Sequence, residues 1–565
     1  MRELIKNDTS KCIGCNRCIR TCPVEGANIG YNEGKEIKVK IDYHQCIVCG
    51  SCIEACQHAS RTYYDDTEKF LSDLKAGTPI SMFAAPANRT NGENWGKLLT
   101  WLRQNGVKKI YDVSLGADIC TWAHIRYIQK ENPKSLITQP CPAIVNYILM
   151  YNHTLLSYLS PIHSPMLCTA VYMKQYEKIN DKIAALSPCI AKSHEFDATN
   201  YVNYNVTFKK LYEYIKRNKI KLPPNETGFD HVESSLGCLY SMPGGLKENV
   251  ELYLGKTLRI DKSEGPGIVY KALNEFSKQK EKYLPAIFDV LNCSEGCNLG
   301  TGCEHNRDIF EINYIMNNAR QNVLKSYDMD AFNNLYNEYD RILRLTDFIR
   351  IYTPMETRSY VVNNSQIEQA FSQLGKKTKA DREINCSACG HDTCLIMAKK
   401  IACGLNIPDN CIHKLHDYVL ELSATNLENL KKILEYISKI RELSEKIHQS
   451  ISDVDITIKK YNEMAKEIGK IATQINLISL NASIEAARAG QNGKAFSVIA
   501  EAIRGLANSS KDTVSETGQI AKYGMDSIKK INVIIDQIIT EIENSFQEVT
   551  NISEKTESIL KKDES

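Results

Sequence analysis

The sequence predicts a multidomain chain in four parts: a small α+β domain, an α/β domain, a second small cysteine-bearing domain, and a C-terminal antiparallel coiled-coil hairpin. Three observations predict it. Cysteine is concentrated in two dense runs between residues 12 and 56 and in a third between 386 and 411. Strand-like and helical segments alternate from residue 75 onward, the rhythm of an α/β layer. From residue 412 cysteine and proline vanish, and apolar residues recur at every seventh position.

A chain of 565 residues is long enough for several domains. Its 70 basic and 68 acidic residues leave a net charge of +2, which gives no reason to expect nucleic acid or an acidic membrane as partner. MRELIKNDTS lacks the apolar core of a signal peptide. No run approaches the roughly 20 apolar residues that span a bilayer. A soluble, cytoplasmic protein without a membrane span is therefore expected. In that setting 21 cysteines argue for metal sites over disulfides.

Two runs open the chain. CIGCNRCIRTCP holds Cys12, Cys15, Cys18 and Cys22; CIVCGSCIEAC holds Cys46, Cys49, Cys52 and Cys56. Both follow C-x2-C-x2-C-x3-C, in which three closely spaced cysteines wrap a tight loop around one cubane. Residues 1–65 thus resemble a two-cluster bacterial ferredoxin. In that family the fourth cysteine of each run reaches the other cluster. The resemblance implies one [4Fe-4S] cluster on Cys12, Cys15, Cys18 and Cys56, and a second on Cys22, Cys46, Cys49 and Cys52. Pro23 follows the first run, while Gln57 stands where a second proline would be. Zinc is the alternative, though zinc sites rarely use two such runs. Two adjacent clusters suit an electron wire rather than a catalyst.

Residues 75–325 read as α/β. PISMFAAP and VKKIYDVSLG are strand-like, and WGKLLTWLRQNG between them is helical. Cysteines then appear in separated segments: Cys141 in TQPCPAIV, Cys189 in ALSPCIAKSHEF, and Cys293 and Cys297 in VLNCSEGCNLGTGC. A lone cysteine is commonly a core residue. Four together supply the thiolates of a cubane. Prolines beside Cys141 and Cys189, and Gly296 before Cys297, suit backbone held close around a bulky cofactor.

This set and its order resemble the active-site domain of [FeFe]-hydrogenases. Cys141–Pro142 matches the first signature. Pro188, Cys189, Lys192 and Glu195 match P-C-x-x-K-x-x-E of the second, and Cys293, Gly296, Cys297, Gly300 and Gly302 match the third. SPIHSP at 160–165 and YSMPGGLKENV at 240–250 match further stretches. The resemblance implies an H-cluster: a [4Fe-4S] cubane on Cys141, Cys189, Cys293 and Cys297, with Cys297 bridging to a diiron unit that bears CO and cyanide. Lys192 would donate to a cyanide, a cation suiting an anionic acceptor; the alternative is a solvated surface lysine.

The departures bear on rate. Catalytic members carry a second cysteine, the proton donor, just before the first ligand; here that residue is Pro140, which has no proton to give. Methionines of the family are replaced by Ser187 and Leu291. A carboxylate relay along the helix after GAD is replaced by His124 and Tyr127, while Ser160 matches a relay serine. Fast turnover needs a donor within hydrogen-bond reach, so slow turnover is expected. His124 is either a substitute donor or an ordinary helix-face histidine.

Residues 326–380 read as a helical connector. In 381–411, Cys386, Cys389, Cys394 and Cys411 give C-x2-C-x4-C-x16-C, which resembles a small [4Fe-4S] domain of redox and sensor proteins. Zinc is again the alternative, and Cys403 an alternative ligand. LIMAKKIACG reads as a short covering helix ended by Gly404. Cys120, Cys168, Cys238, Cys303 and Cys403 remain, and are expected to be buried thiols.

Residues 412–565 carry two apolar seams. Ile433, Ile440, Ile447, Val454, Tyr461, Ile468, Ile475 and Ala482 form one; Leu430, Ile437, Ser444, Ile451, Ile458, Ala465, Ala472 and Ser479 form the other. Sustained a/d spacing predicts a coiled coil. The return arm is looser, with Ile499, Leu506, Ile520 and Ile534 on one seam, and Gly490–Gly493 is the turn. The tip, LNASIEAARAGQNGKAFSVIAEAIRGLA, resembles the kinase-control tip of bacterial chemoreceptors. The resemblance implies paired hairpins in a four-helix bundle, a homodimer or higher assembly, and a chemotaxis histidine kinase and coupling protein as partners. The tip residues carried over are Leu477, Leu480, Asn481, Glu485, Arg488 and Val498, with Glu485 and Arg488 pairing between receptors. Thr473 replaces a common aromatic, and Gln547–Glu548 is a weak adaptation candidate. Receptors usually have a membrane-spanning sensor, and none is expected here.

Three functions stand at this point. One is a hydrogen or redox sensor with slow, reversible hydrogen oxidation and proton reduction. Another is a working hydrogenase served by a ferredoxin-type electron partner. The last is a redox sensor with cubanes but no diiron unit.

Overall fold

A computed structural model describes residues 2–92, 94–138, 140–231 and 235–563. The chain forms two compact units, Met1–Lys414 and Leu415–Ser565. In the first, strand Ile5–Asn7 pairs antiparallel with Arg61–Tyr63, and Asn28–Glu33 closes a hairpin with Glu36–Ile41. Short helices Arg17–Arg20 and Ser51–Glu54 each begin inside a cysteine run.

Two parallel sheets follow. One has the order Val107–Asp112, Ile80–Ala84, Lys182–Ser187, Tyr204–Thr207; the other has Ile260–Glu264, Ile287–Leu291, Leu136–Ile137. Ile80–Ala84 and Ile287–Leu291 are buried at every residue, as parallel strands covered on both faces should be. The stretch VKKIYDVSLG, expected as strand, leaves the sheet at Asp112. There the Asp112 carboxylate accepts from the Ser114 amide at 2.9 Å and caps the helix Val113–Glu131. Every residue from Val113 to Ile125 is buried, so this helix runs through the interior.

The expected helical connector, 326–380, is helical only in part. Met329–Ile342 and Asn364–Gln373 are helices, but no helix occurs in 349–363. That stretch lies back along the α/β lobe: Ile349 bridges Ile162, and the Met355 amide donates to the Leu149 carbonyl at 2.7 Å. Asn364–Gln373 then packs Ile367, Ala370 and Phe371 against Met397 and Ala398 of the helix Cys394–Ala402. It belongs to the core of the third cysteine lobe.

The second unit holds most of the helix Ile412–Arg488, the turn Gly490–Gly493 and the helix Lys494–Asp563. At 77 and 70 residues these arms are about 105–115 Å long. Gly469 faces Val514 and Ile458 faces Gly524, so the arms run antiparallel. On the first arm the inward seam is Ser444, Ala465, Ala472 and Ser479, all buried; Ile433, Ile440, Ile447, Val454 and Ile468 are exposed. The return seam differs from expectation. Ile499, Leu506, Ile520 and Ile534 face outward, and the buried seam lies one residue on, at Ala500, Ala507, Ala521, Ile528 and Ile535. Small residues let the two backbones approach. Among the described residues no helix is long and apolar enough to cross a membrane.

Candidate metal centre

The carboxyl ends of both sheets meet at one cavity. Ala85, Val113 and Pro188 each follow a strand of the first sheet, Leu291 ends a strand of the second, and all four line it. Open α/β sheets bind ligands off the carboxyl ends of their strands. The same wall holds Cys141, Cys189, Cys293 and Cys297. Four thiols scattered over more than 150 residues of sequence are thus brought together. Gly296 has a φ of 73°, and a Cβ there would lie 2.5 Å from the Ser241 carbonyl oxygen, so the loop between Cys293 and Cys297 requires glycine.

Burial pushes the Cys189 and Cys297 thiols up to about 12, and Cys293 well above its ordinary range. Such thiols become thiolates when a metal supplies the compensating charge. The remaining wall is largely apolar, with Ala87, Pro165 and Met166, and the buried Ser241 Oγ there has no hydrogen-bond partner. Four convergent soft donors and an unpaired hydroxyl fit an iron–sulfur cofactor. Among the described residues no three histidine, cysteine or carboxylate side chains close on a single metal-ion position; the cysteines surround wider spaces.

Lys192 is part of this wall and is buried, not solvated. Its Nζ donates to Glu195 Oε2 at 2.6 Å and to Ser164 Oγ at 3.0 Å. Arg350 lies 3.9 Å from the other Glu195 oxygen. Pro140 lines the cavity beside Cys141, and Leu291 lines it too; the Ser187 Oγ instead accepts from the Cys189 amide at 3.1 Å.

Ser160 and His124 do come together, both buried, with Ser160 Oγ 2.9 Å from His124 Nε2. His124 Nδ1 lies 2.8 Å from the Cys120 carbonyl. Nδ1–H therefore donates to that carbonyl, and Nε2 pairs with the serine hydroxyl. Neither residue lines the cavity. Tyr127, one turn on, is half-buried.

One polar group was missed by sequence reasoning. Asp289 is buried in the strand Ile287–Leu291; its Oδ1 accepts from Thr138 Oγ1 at 3.1 Å, and its Oδ2 has no partner. Burial pushes this carboxyl up to about 6. A carboxylate inside the apolar run IFDVL was the available signal.

Two further cavities are cysteine-lined. Cys22, Cys46, Cys49 and Cys52 surround one, with Ile5, Val24 and Ile41. Asn292 Nδ2 donates to the Cys49 carbonyl at 3.3 Å and stands 4.0 Å from Cys293 Sγ, so this set adjoins the first cavity. Cys386, Cys389, Cys394 and Cys411 surround the other, with His391 and His413. Of the second N-terminal set, Cys12 and Cys56 are half-buried, Cys15 is exposed, and Cys18 is buried with Arg61 at 3.8 Å. Cys120, Cys168, Cys238 and Cys303 are buried as expected, whereas Cys403 is only half-buried, at the end of its helix. On the hairpin tip, Leu477, Leu480, Asn481, Glu485, Arg488 and Val498 are all exposed. Glu485 and Arg488 pair within one helix at 3.5 Å.

Three family models match the chain. Residues 4–57 match a 4Fe-4S dicluster domain, 78–301 the C-terminal domain of the iron only hydrogenase large subunit, and 424–564 the methyl-accepting chemotaxis protein signalling domain. The periplasmic [Fe] hydrogenase large subunit of Nitratidesulfovibrio vulgaris is 27% identical over 280 residues, covering 44% of this chain and 66% of that one. The methyl-accepting chemotaxis protein McpA of Bacillus subtilis is 39% identical over 87 residues, covering 15% of this chain and 13% of that one. Two other Bacillus subtilis sensory transducers are matched over 15% and 29% of their lengths. An [FeFe]-hydrogenase structure from Chlamydomonas reinhardtii is 16% identical with a TM-score of 0.37, covering 51% of this chain and 98% of that one. The chain thus joins a 4Fe-4S dicluster domain, an iron-only hydrogenase large-subunit domain and a methyl-accepting chemotaxis signalling domain in one polypeptide.

Proposed function

We propose that this chain is a cytoplasmic hydrogen or redox sensor. Hydrogen is turned over slowly at the site of Cys141, Cys189, Cys293 and Cys297, and the outcome biases a chemotaxis histidine kinase and its coupling protein through the hairpin. The observation that carries this reading is the union of a hydrogenase-type domain and a chemoreceptor signalling domain in one polypeptide. When bound, the cubane–diiron cofactor supplies the splitting of hydrogen into protons and electrons.

The chain's own residues do the rest. The four cysteines would hold the cubane–diiron group. Lys192 donates into the cavity while Glu195 and Ser164 fix its direction. Pro140 offers no proton beside Cys141, which limits the rate because a general acid acts only within hydrogen-bond reach. Ser160 and His124 hold a proton between Oγ and Nε2 behind the wall. The two N-terminal cysteine sets hold [4Fe-4S] clusters, and Cys386, Cys389, Cys394 and Cys411 hold a third. The exposed isoleucines of the first arm are covered by a second hairpin, giving a homodimer.

Infrared spectroscopy of anaerobically matured protein tests the site. CO and cyanide bands are expected, and their absence would leave a cubane-only redox sensor. Hydrogen added to a reconstituted kinase complex should then change phosphorylation; no change would remove the sensor role. High-rate hydrogen evolution would make the chain a working hydrogenase with a ferredoxin-type electron partner.

A further inference from the structure

The third cysteine lobe packs on the N-terminal lobe through a line of buried amides. Asn16, between Cys15 and Cys18, donates from Nδ2 to Asn410 Oδ1 at 3.1 Å. Asn410 Nδ2 donates to Asn406 Oδ1. Asn406 Nδ2 lies 3.0 Å from His391 Nε2, and His391 lines the cavity of Cys386, Cys389, Cys394 and Cys411. Asn16, Asn406 and Asn410 are all less than a tenth exposed. An interface needing only stability would be cheaper to build from apolar groups, because a buried amide atom left unmatched, as Asn16 Oδ1 is, carries a desolvation cost. The backbone makes room for this line. A Cβ on Gly30 would sit 2.6 Å from Asn406 Oδ1 and 2.7 Å from Asn410 Nδ2, and one on Gly390 would sit 3.1 Å from the Asn16 carbonyl oxygen. Around it, Lys400 pairs with Glu25 at 3.0 Å, and Asn32 donates to Asp409 at 2.9 Å.

We infer that Asn16, Asn410, Asn406 and His391 are positioning residues that couple clusters held by the Cys12, Cys15, Cys18 and Cys56 set and by the Cys386, Cys389, Cys394 and Cys411 set for electron transfer. The inference rests on the hydrogen reading above. On that reading, oxidation of one hydrogen molecule would release two protons to water and two electrons to the clusters that the cysteine sets would hold. Asn292 adjoins Cys49 and Cys293 at the start of the route. The amide line connects its end, and each set accepts one electron at a time. Cys411 is the residue before the helix Ile412–Arg488. One extra negative charge on that set therefore arrives where the helix macrodipole is positive.

The test is freeze-quench EPR on matured full-length protein, with hydrogen as reductant. Cys386→Ser identifies the signal of the third set by removing it. In the parent protein hydrogen should reduce that set. Asn406→Leu should slow its reduction roughly tenfold, equal to about 1.36 kcal/mol in the barrier, while the N-terminal sets reduce at the parent rate. Asn406→Asp should restore the rate, since a carboxylate accepts from both Asn410 Nδ2 and the Nε2–H tautomer of neutral His391. Dithionite should reduce the third set in all three proteins, showing that it is present. An unchanged rate in Asn406→Leu would overturn the inference. So would a parent protein whose N-terminal sets are reduced by hydrogen while the third set is not. Failure of hydrogen to reduce any set would instead overturn the hydrogen reading. Should Asn406→Leu not fold, the parent alone decides: magnetic coupling between the reduced third and N-terminal sets is expected, and its absence counts against the route.

Discussion

Lys192 Nζ lies 2.6 Å from Glu195 Oε2; both side chains are buried, and Lys192 lines the cysteine cavity. Removing one partner of a buried ion pair leaves an uncompensated charge, which costs about 3–5 kcal/mol. Lys192→Met should therefore lower the thermal midpoint markedly, and Lys192→Met with Glu195→Gln should recover most of the loss. The double variant should still assemble less of the diiron unit, read from the infrared bands. If the single variant were as stable as the parent, the pair would not be matched as described.

The Ser160–His124 pair is buried but lies outside the cavity wall. Ser160→Ala leaves Nε2 of a buried imidazole without its hydrogen-bond partner, a penalty of about 1–3 kcal/mol. Chemical denaturation of the cofactor-free protein should show that loss. A relay role adds a second expectation, a solvent isotope effect on hydrogen turnover that changes in Ser160→Ala. Unchanged stability would mean that water replaces the serine.

Asp289 predicts a pH dependence. Its carboxyl is raised from 3.8 to about 6 by burial, so the folded state binds its proton more tightly than the unfolded chain does. Its penalty is absent below about pH 4, grows as pH rises toward 6, and is complete above that. The difference, 6 minus 3.8, is worth at most about 3 kcal/mol at 1.36 kcal/mol per unit. Asp289→Asn keeps the Thr138 bond and should stabilise the protein at pH 7 by up to that amount. At pH 4 the gain should vanish, and an equal gain at both pH values would contradict the burial argument.

Pro140→Cys would place a thiol in the cavity wall beside Cys141. Since a positioned general acid contributes about 10²–10⁴-fold, hydrogen evolution by the matured variant should rise well above the parent, read by gas chromatography. No increase would move the rate limit away from this position.

The hairpin separates two kinds of seam. Ala472→Leu overpacks the buried seam and should destabilise the second unit by about 1–3 kcal/mol. Ile468→Asp lies on the exposed stripe and should leave helicity intact while weakening self-association in sedimentation. Loss of helicity in Ile468→Asp would place that residue inside the hairpin core.

The cysteine runs were legible because ligand spacing is local, and the sheet strands because runs such as ISMFA are buried on both faces. The two-residue strand Leu136–Ile137 was not, being too short to carry a period. The return seam was misplaced by one residue because alanines, which pack closest, look less hydrophobic than the isoleucines beside them. The connector misled because a polar stretch reads as helix or loop alike, and its contacts with Leu149 and Ile162 are set by tertiary structure. Among the site residues, cavity lining by all four central cysteines followed from resemblance. So did the place of Lys192 in that wall. The line from Asn16 to His391 did not, since asparagine carries no periodic signal and its partner is distant in sequence.

The Asn16–Asn410 bond joins residues 394 positions apart. At roughly 5–20 residues per second of synthesis, Asn16 waits about 20–80 seconds for its partner to be made. During that interval an amide destined for burial, and the face of the first cysteine lobe around it, stay open to water and to anything else in the cell. The lobe made first is thus closed only once residue 410 has been made.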